Sequence, residues 1–122
     1  MSRPWKVILA PAAEADLAEI LAWSAEAFGD AVRRRYAALI VQAIEDLAAE
    51  PARAGVETRP EIAAGVHTYH LAHSRKRVAP AVGRVITPRH FLIFRVRGDS
   101  AVEIVRVLHD SMDLARHLPP AE

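Results

Sequence analysis

The run Val102-Glu103-Ile104-Val105-Arg106-Val107-Leu108-His109-Asp110-Ser111-Met112-Asp113-Leu114-Ala115-Arg116-His117-Leu118 decides how this chain is read. Its first half alternates and is rich in β-branched residues, the pattern of a strand. At Leu108-His109-Asp110 that pattern gives way to a short polar–apolar segment with two His, one Arg and two Asp. A buried strand running into a charged end suits a small domain that works with its C-terminal edge.

Outward from this strand, residues 89–96 form a second one centred on Phe91-Leu92-Ile93-Phe94, and Gly98-Asp99-Ser100 is a hairpin turn. The spacing therefore pairs 102–108 antiparallel with 89–96. Residues 66–71 alternate weakly and make a third strand, so the last three strands form a meander. Between them, 73–88 is a long basic connection holding Pro80, Gly83 and Pro88, and connections of that length in a compact domain usually carry function. Residues 52–65, broken by Gly55, Pro60 and Gly65, read as loop.

The N-terminal part is helical after a short apolar strand over 5–9. Pro11 belongs in the first turn of a helix, where its missing N–H costs nothing, and Glu14 and Asp16 favour the positive end of the helix dipole. Leu17, Ile20, Leu21, Ser24 and Phe28 follow helical spacing, with Trp23 beside them. Gly29 suits the C-terminal cap and Asp30 the next N-cap, so a second helix covers 31–49 with Tyr36, Leu39, Ile40, Ala43, Ile44 and Leu47 on its apolar face. The expected architecture is α+β: an N-terminal strand and an αα-hairpin packed on an antiparallel β-sheet, the other sheet face open, with 1–122 as one domain.

The 122 residues suffice for one modest core, and just over half are hydrophobic, a globular composition. Without cysteine there is no disulfide framework, thiolate chemistry or Cys-based zinc site. No apolar run approaches the ~20 residues of a membrane span, and the N-terminal apolar stretch is too short for a signal peptide. The expected location is cytoplasmic. Charge is uneven: residues 1–50 hold eight acids and five bases, whereas 73–97 hold seven Lys/Arg and no acid. That basic stretch favours an acidic partner segment or a nucleic acid over a purely solvated loop only on even terms.

All six His lie after residue 66. His67, His70 and His73 form a ladder, but on a strand a spacing of three turns neighbours to opposite faces, so no metal site is expected. His109 and His117 flank Asp110 and Asp113 and could form an acid–base pair, with Arg89, Arg95 and Arg106 on neighbouring strands to hold a phosphate. The simpler account is that His109 and Asp110 end the strand. Arg33-Arg34-Arg35 splay about 100° apart per residue on a helix and read as a solvated face. No phosphate loop, nucleophile elbow or metalloprotease helix is present, and no cofactor is expected.

The order of these elements resembles the RelE/ParE toxin superfamily of type II toxin–antitoxin modules, in its ParE-like branch. The resemblance covers nearly the whole chain. Its most specific parts are Arg106-Val107-Leu108-His109 followed by Met112-Asp113 and Arg116-His117-Leu118, with His70-Leu71-Ala72-His73-Ser74-Arg75 and Arg89-His90-Phe91 in support. It implies a microbial RNase-like fold and a ParD-like antitoxin with a ribbon-helix-helix head, through which alone the toxin meets nucleic acid. It also implies DNA gyrase as target, without catalysis, in a plasmid-stabilization or similar module. The target would be met through His109, Met112, Asp113, Arg116 and His117, and the antitoxin through Arg75, Arg77, Arg89 and Arg95. The RelE branch instead implies ribosome-dependent mRNA cleavage, here by Arg95, Arg106 and His109. Lys occurs only at 6 and 76 and no Tyr follows Leu108, which tilts the reading toward the gyrase branch. A toxin fold that only binds its partner is a third alternative.

Overall fold

The computed structural model describes residues 4–98 and 100–117. The strands are β1 (Lys6–Leu9), β2 (Glu57–Thr58), β3 (His67–His70), β4 (His90–Arg97) and β5 (Ala101–His109). They form one sheet in the order β1-β5-β4-β3-β2, so the C-terminal strand is interior. The expected β3-β4-β5 meander is present. The sheet is mixed rather than purely antiparallel, because β1 lies parallel to β5. After β1 the chain crosses the helical layer and re-enters the sheet at its far edge, so β5 reaches β1 running in the same direction. β2, in the stretch expected to be loop, pairs its two residues with His67 and Thr68. Two residues are too few to write an alternating pattern.

The helices are α1 (Pro11–Phe28) and α2 (Asp30–Ala49), joined through Gly29 alone. Gly29 has φ +91°, a conformation that L side chains rarely adopt, and this lets one helix stop and the next begin immediately. Asp30, expected as the N-cap of α2, is its first residue and makes no capping bond. Its carboxylate instead holds Arg33 at 2.8 Å and Arg34 at 3.5 Å. α2 buries Tyr36, Leu39, Ile40, Ala43 and Leu47 against Leu92 and Phe94 of β4 and Val102, Ile104 and Val107 of β5.

The other sheet face is not open as the pattern suggested. Val66, Ile93, Val105, Leu108 and Leu114 form a second buried cluster, with Ile62, Ala63 and Phe91 packed against it. A bulge makes this possible. Ile93 pairs with Arg106 and Phe94 with Ile104, leaving Val105 without an opposite residue. The extra residue lets Ile104 and Val107 join the helix-side core while Val105 and Leu108 join the second one.

β5 outruns β1, which pairs only with residues 101–104. Beyond that point α1 takes over the edge. Asp16, near the start of α1, accepts the Val107 amide at 2.9 Å and the Arg106 guanidinium at 2.7 and 2.9 Å. Arg106, a candidate to hold a phosphate, is instead folded back into this ion pair, which raises its pKa. Asp16, expected to serve the helix dipole, is buried and serves the sheet edge.

Removing the carboxylate strands a half-buried cation and a buried N–H. Asp16→Ala is expected to cost about 3 kcal/mol, and Asp16→Asn, which keeps an acceptor for the amide, clearly less. Urea unfolding of the two variants checks this. A loss below about 0.5 kcal/mol for Asp16→Ala would contradict it.

Candidate functional site

α1, α2 and the segment leading into β4 enclose a cleft of about 610 Å³ that also reaches the residues after β5. Its apolar wall includes Ile20, Trp23, Phe28, Val32, Val85 and Met112. Trp23 and Phe28 are each 60% exposed and meet edge to face at 5.4 Å. Trp23 is thus a rim aromatic of the cleft, and two large rings left in water mark an interaction surface.

The polar part of the cleft is built by the ends of β4 and β5. In the strand register His90 lies opposite His109, with ring centroids 5.2 Å apart. The Tyr36 hydroxyl lies 2.6 Å from His90 Nδ1 and accepts the Arg89 amide N–H at 3.1 Å. Burial pushes the Tyr36 hydroxyl pKa up, so Tyr36 stays protonated and its hydrogen is available to His90. Burial, aided by His109, lowers the pKa of His90 to about 4. His90 is therefore neutral at pH 7, with Nδ1 as acceptor and the proton on Nε2. The Ser111 amide donates to His109 Nδ1 at 3.1 Å, which places a hydrogen on Nε2, and Asp110 Oδ1 lies 3.6 Å from the same Nδ1.

Asp110 lies behind this pair. It receives Arg89 at 2.9 Å and His70 Nε2 at 3.0 Å. Desolvation pushes its carboxyl pKa up, but the Arg89 and His70 hydrogen bonds outweigh it and hold the value below the usual carboxylate range. A second polar cluster sits under the 3-10 segment Leu71–Arg77. There the buried Asp46 accepts Ser74 at 2.6 Å, Arg77 at 2.8 Å and Gln42 at 3.0 Å, and Ser74 also bonds Tyr69 at 2.8 Å.

The residues singled out from sequence are placed as follows. His109 and Met112 line the cleft. Asp113 and Arg116 pair with each other on the surface at 3.4 Å. The backbone of His117 belongs to the last 3-10 turn, Leu114–His117, while its side chain and Leu118 lie outside the described residues. Arg77 is tied to Asp46, Arg89 to Asp110, and Arg75 to the Ile86 carbonyl. Arg95 is half-buried on β4 opposite Glu103, whose carboxylate is taken by Arg97. Of the His ladder, His67 bonds Thr58, His70 bonds Asp110, and His73 stacks near Tyr69. Asp110 was weighed from sequence only as an acid–base partner of His109, His70 and His90 only within quoted stretches, and Tyr36 only as a core residue of α2.

A profile of the ParE toxin of type II toxin–antitoxin system, parDE, matches residues 7–114. The chain belongs to the ParE toxin family. It is 31% identical over 113 residues to Toxin ParE1 of Mycobacterium tuberculosis, in strains CDC 1551 / Oshkosh and H37Rv alike, covering 93% of this chain and 97% of that protein. A chain of the chromosomal ParDE TA system from P. aeruginosa superposes with a TM-score of 0.62 at 20% identity, over 88% of this chain and 98% of that one, and so shares its fold. The ParE-type architecture read from the order of elements is thus the one observed. Among the described residues, no helix is long and apolar enough to cross a membrane.

The depressed pKa of His90 makes the ParE fold acid-sensitive. The folded value, about 4, lies below the ordinary 6.5, so the unfolded chain binds the proton more readily. Stability is full above pH 6.5 and is lost as pH falls from 6.5 toward 4. After allowance for partial solvent screening, the loss is on the order of 1–2 kcal/mol. In His90→Gln, where the amide oxygen can still accept from Tyr36, urea midpoints are expected to depend less on pH across this window. An unchanged pH dependence would contradict the assignment.

Proposed function

We propose that this ParE-family toxin acts by binding DNA gyrase rather than by catalysis, and that a ParD-like ribbon-helix-helix antitoxin neutralises it. The observation that carries the first part is the dispersal of the alternative nuclease set. Arg106 is consumed by Asp16. Arg95 sits five strand positions from His90, the register partner of His109, which places it roughly 17 Å away along the sheet. Phosphodiester cleavage needs its acid–base group and its cations around one phosphate. His109, Arg95 and Arg106 do not converge in that way. Arg89, which lines the same cleft as His109, is likewise paired with Asp110.

The cleft and its exposed Trp23 and Phe28 support a protein partner, since burying them removes apolar surface at roughly 25 cal/mol per Å². The acid-free 73–97 stretch suits an acidic antitoxin tail that orders on binding, with Arg75, Arg77, Arg89 and Arg95 as its anticipated contacts. The P. aeruginosa chain of the same fold comes from a ParDE system, which is consistent with a ParD-like partner. His109, Met112, Asp113, Arg116 and His117 are the proposed target contacts.

Purified toxin added to gyrase is expected to block plasmid supercoiling while leaving mRNA intact in a translating extract, and addition of the neighbouring reading frame's product is expected to restore supercoiling. Rapid mRNA cleavage with supercoiling unaffected would overturn the proposal in favour of the nuclease.

A further inference from the structure

The polar part of the cleft holds two hydrogen-bond donors that the fold does not use. His90 and His109 each have Nδ1 occupied, by the Tyr36 hydroxyl and by the Ser111 amide. With Nδ1 accepting, a hydrogen of each ring lies on Nε2, and neither Nε2 has a hydrogen-bond partner among the described residues. Arg53 Nε is the one buried side-chain nitrogen or oxygen left without a partner among them, so the two imidazole N–H groups are not sealed in the core. They belong to rings that line the cleft, 5.2 Å apart between centroids.

Among the described residues, Glu19 is the one acidic residue lining the cleft; it comes from α1, and its charge acts on Arg106. The carboxylate of Asp110 is paired with Arg89 and accepts from His70, and its Oδ1 lies 3.6 Å from His109 Nδ1. The neighbouring stretch 73–97 carries seven Lys/Arg and no acid. Two N–H donors beside an apolar wall, with Arg89 in the same lining, fit an acceptor that carries two oxygens. A carboxylate offers two oxygens with lone pairs enough for both rings.

We infer that His90 and His109 form a two-imidazole clamp for a carboxylate. Its occupant is a segment of a partner polypeptide in which an Asp or Glu follows apolar side chains that fill the cleft beside Trp23 and Phe28. The inference rests on the antitoxin reading for the identity of that partner, which then covers His109, a proposed target contact, as it neutralises the toxin; the clamp itself is a property of this chain alone. The Tyr36–His90 bond orients one ring and Ser111 orients the other, so the donors are set before the ligand arrives.

The test uses two synthetic peptides, acetyl-Leu-Phe-Glu-Leu-amide and the same peptide with Gln in place of Glu. Each is titrated into the full chain while the His90 and His109 ring resonances are followed by NMR. The Glu peptide is expected to shift both rings and to bind about tenfold more tightly than the Gln peptide, the scale of one charge-assisted hydrogen-bonded contact. His109→Ala is expected to abolish most of that preference. His109→Gln, which keeps a neutral N–H donor, is expected to retain part of it, and the backbone amide spectrum of each variant reports whether the fold is intact. Equal binding of the two peptides, or no movement of the His90 and His109 resonances, overturns the clamp. If the peptides behave as expected but the neighbouring reading frame's product neither binds the toxin nor restores supercoiling, the antitoxin reading fails and the clamp stands.

Discussion

One carboxylate holds the sheet and the helical layer in register. Asp16 takes the Val107 amide and both arms of the Arg106 guanidinium, at the point where β1 has ended and β5 continues without a strand neighbour on that side. An exposed strand edge of this kind would invite pairing with another chain. Here a helix covers it, and the ion pair fixes how the helix lies. Because Asp16 is largely buried, its cost of desolvation is offset only while all three bonds are made, so the contact specifies one arrangement.

The cleft follows from that arrangement. Asp16, Ile20 and Trp23 are four and seven residues apart and share one side of α1. The same side runs from a buried ionic contact on β5, through a half-buried Ile20, to a Trp23 left in water. β5, free to extend past β1, delivers His109 to the same place, and the hairpin register sets His90 opposite it. The second hydrophobic cluster, made possible by the bulge at Val105, keeps this end of β5 packed from the other side. Asp46 does comparable work at the far side of α2, where it fixes the 3-10 segment by accepting Ser74 and Arg77. The basic stretch that follows therefore starts from a rigid anchor.

Much of the fold was legible because long, periodic elements write their structure in the sequence. The α2 stripe of Tyr36, Leu39, Ile40, Ala43 and Leu47 is the buried stripe, and the β4–β5 hairpin was marked by its apolar runs and its turn. Three features were not legible, each for a physical reason. β2 is too short to show a period. The bulge moves the hairpin register by one residue between its turn and its far end, so counting back from 98–100 does not by itself put His90 opposite His109. The open face was expected because Val66, Leu108 and Leu114 lie in three separate segments, and nothing local says that they meet. The candidate site was legible only in part for the same reason. His109 was picked out by the break in the strand pattern and Met112 by the family resemblance, whereas Tyr36 and His90 are 54 residues apart and Asp16 and Arg106 are 90 apart. A single sequence carries no signal for such pairs beyond the residue types themselves.

The account makes the edge of β5 beyond Ile104 an interior position, closed by Asp16 and not by a strand. Amide hydrogen exchange at Val107 in the unmodified protein tests this most directly. If the Asp16 bond seals the edge, Val107 exchanges as slowly as Leu92, its register partner in the middle of the sheet. If Val107 exchanges as fast as the surface amides that follow β5, the edge is open, and the contact on which the helical layer and the cleft depend is not made in solution.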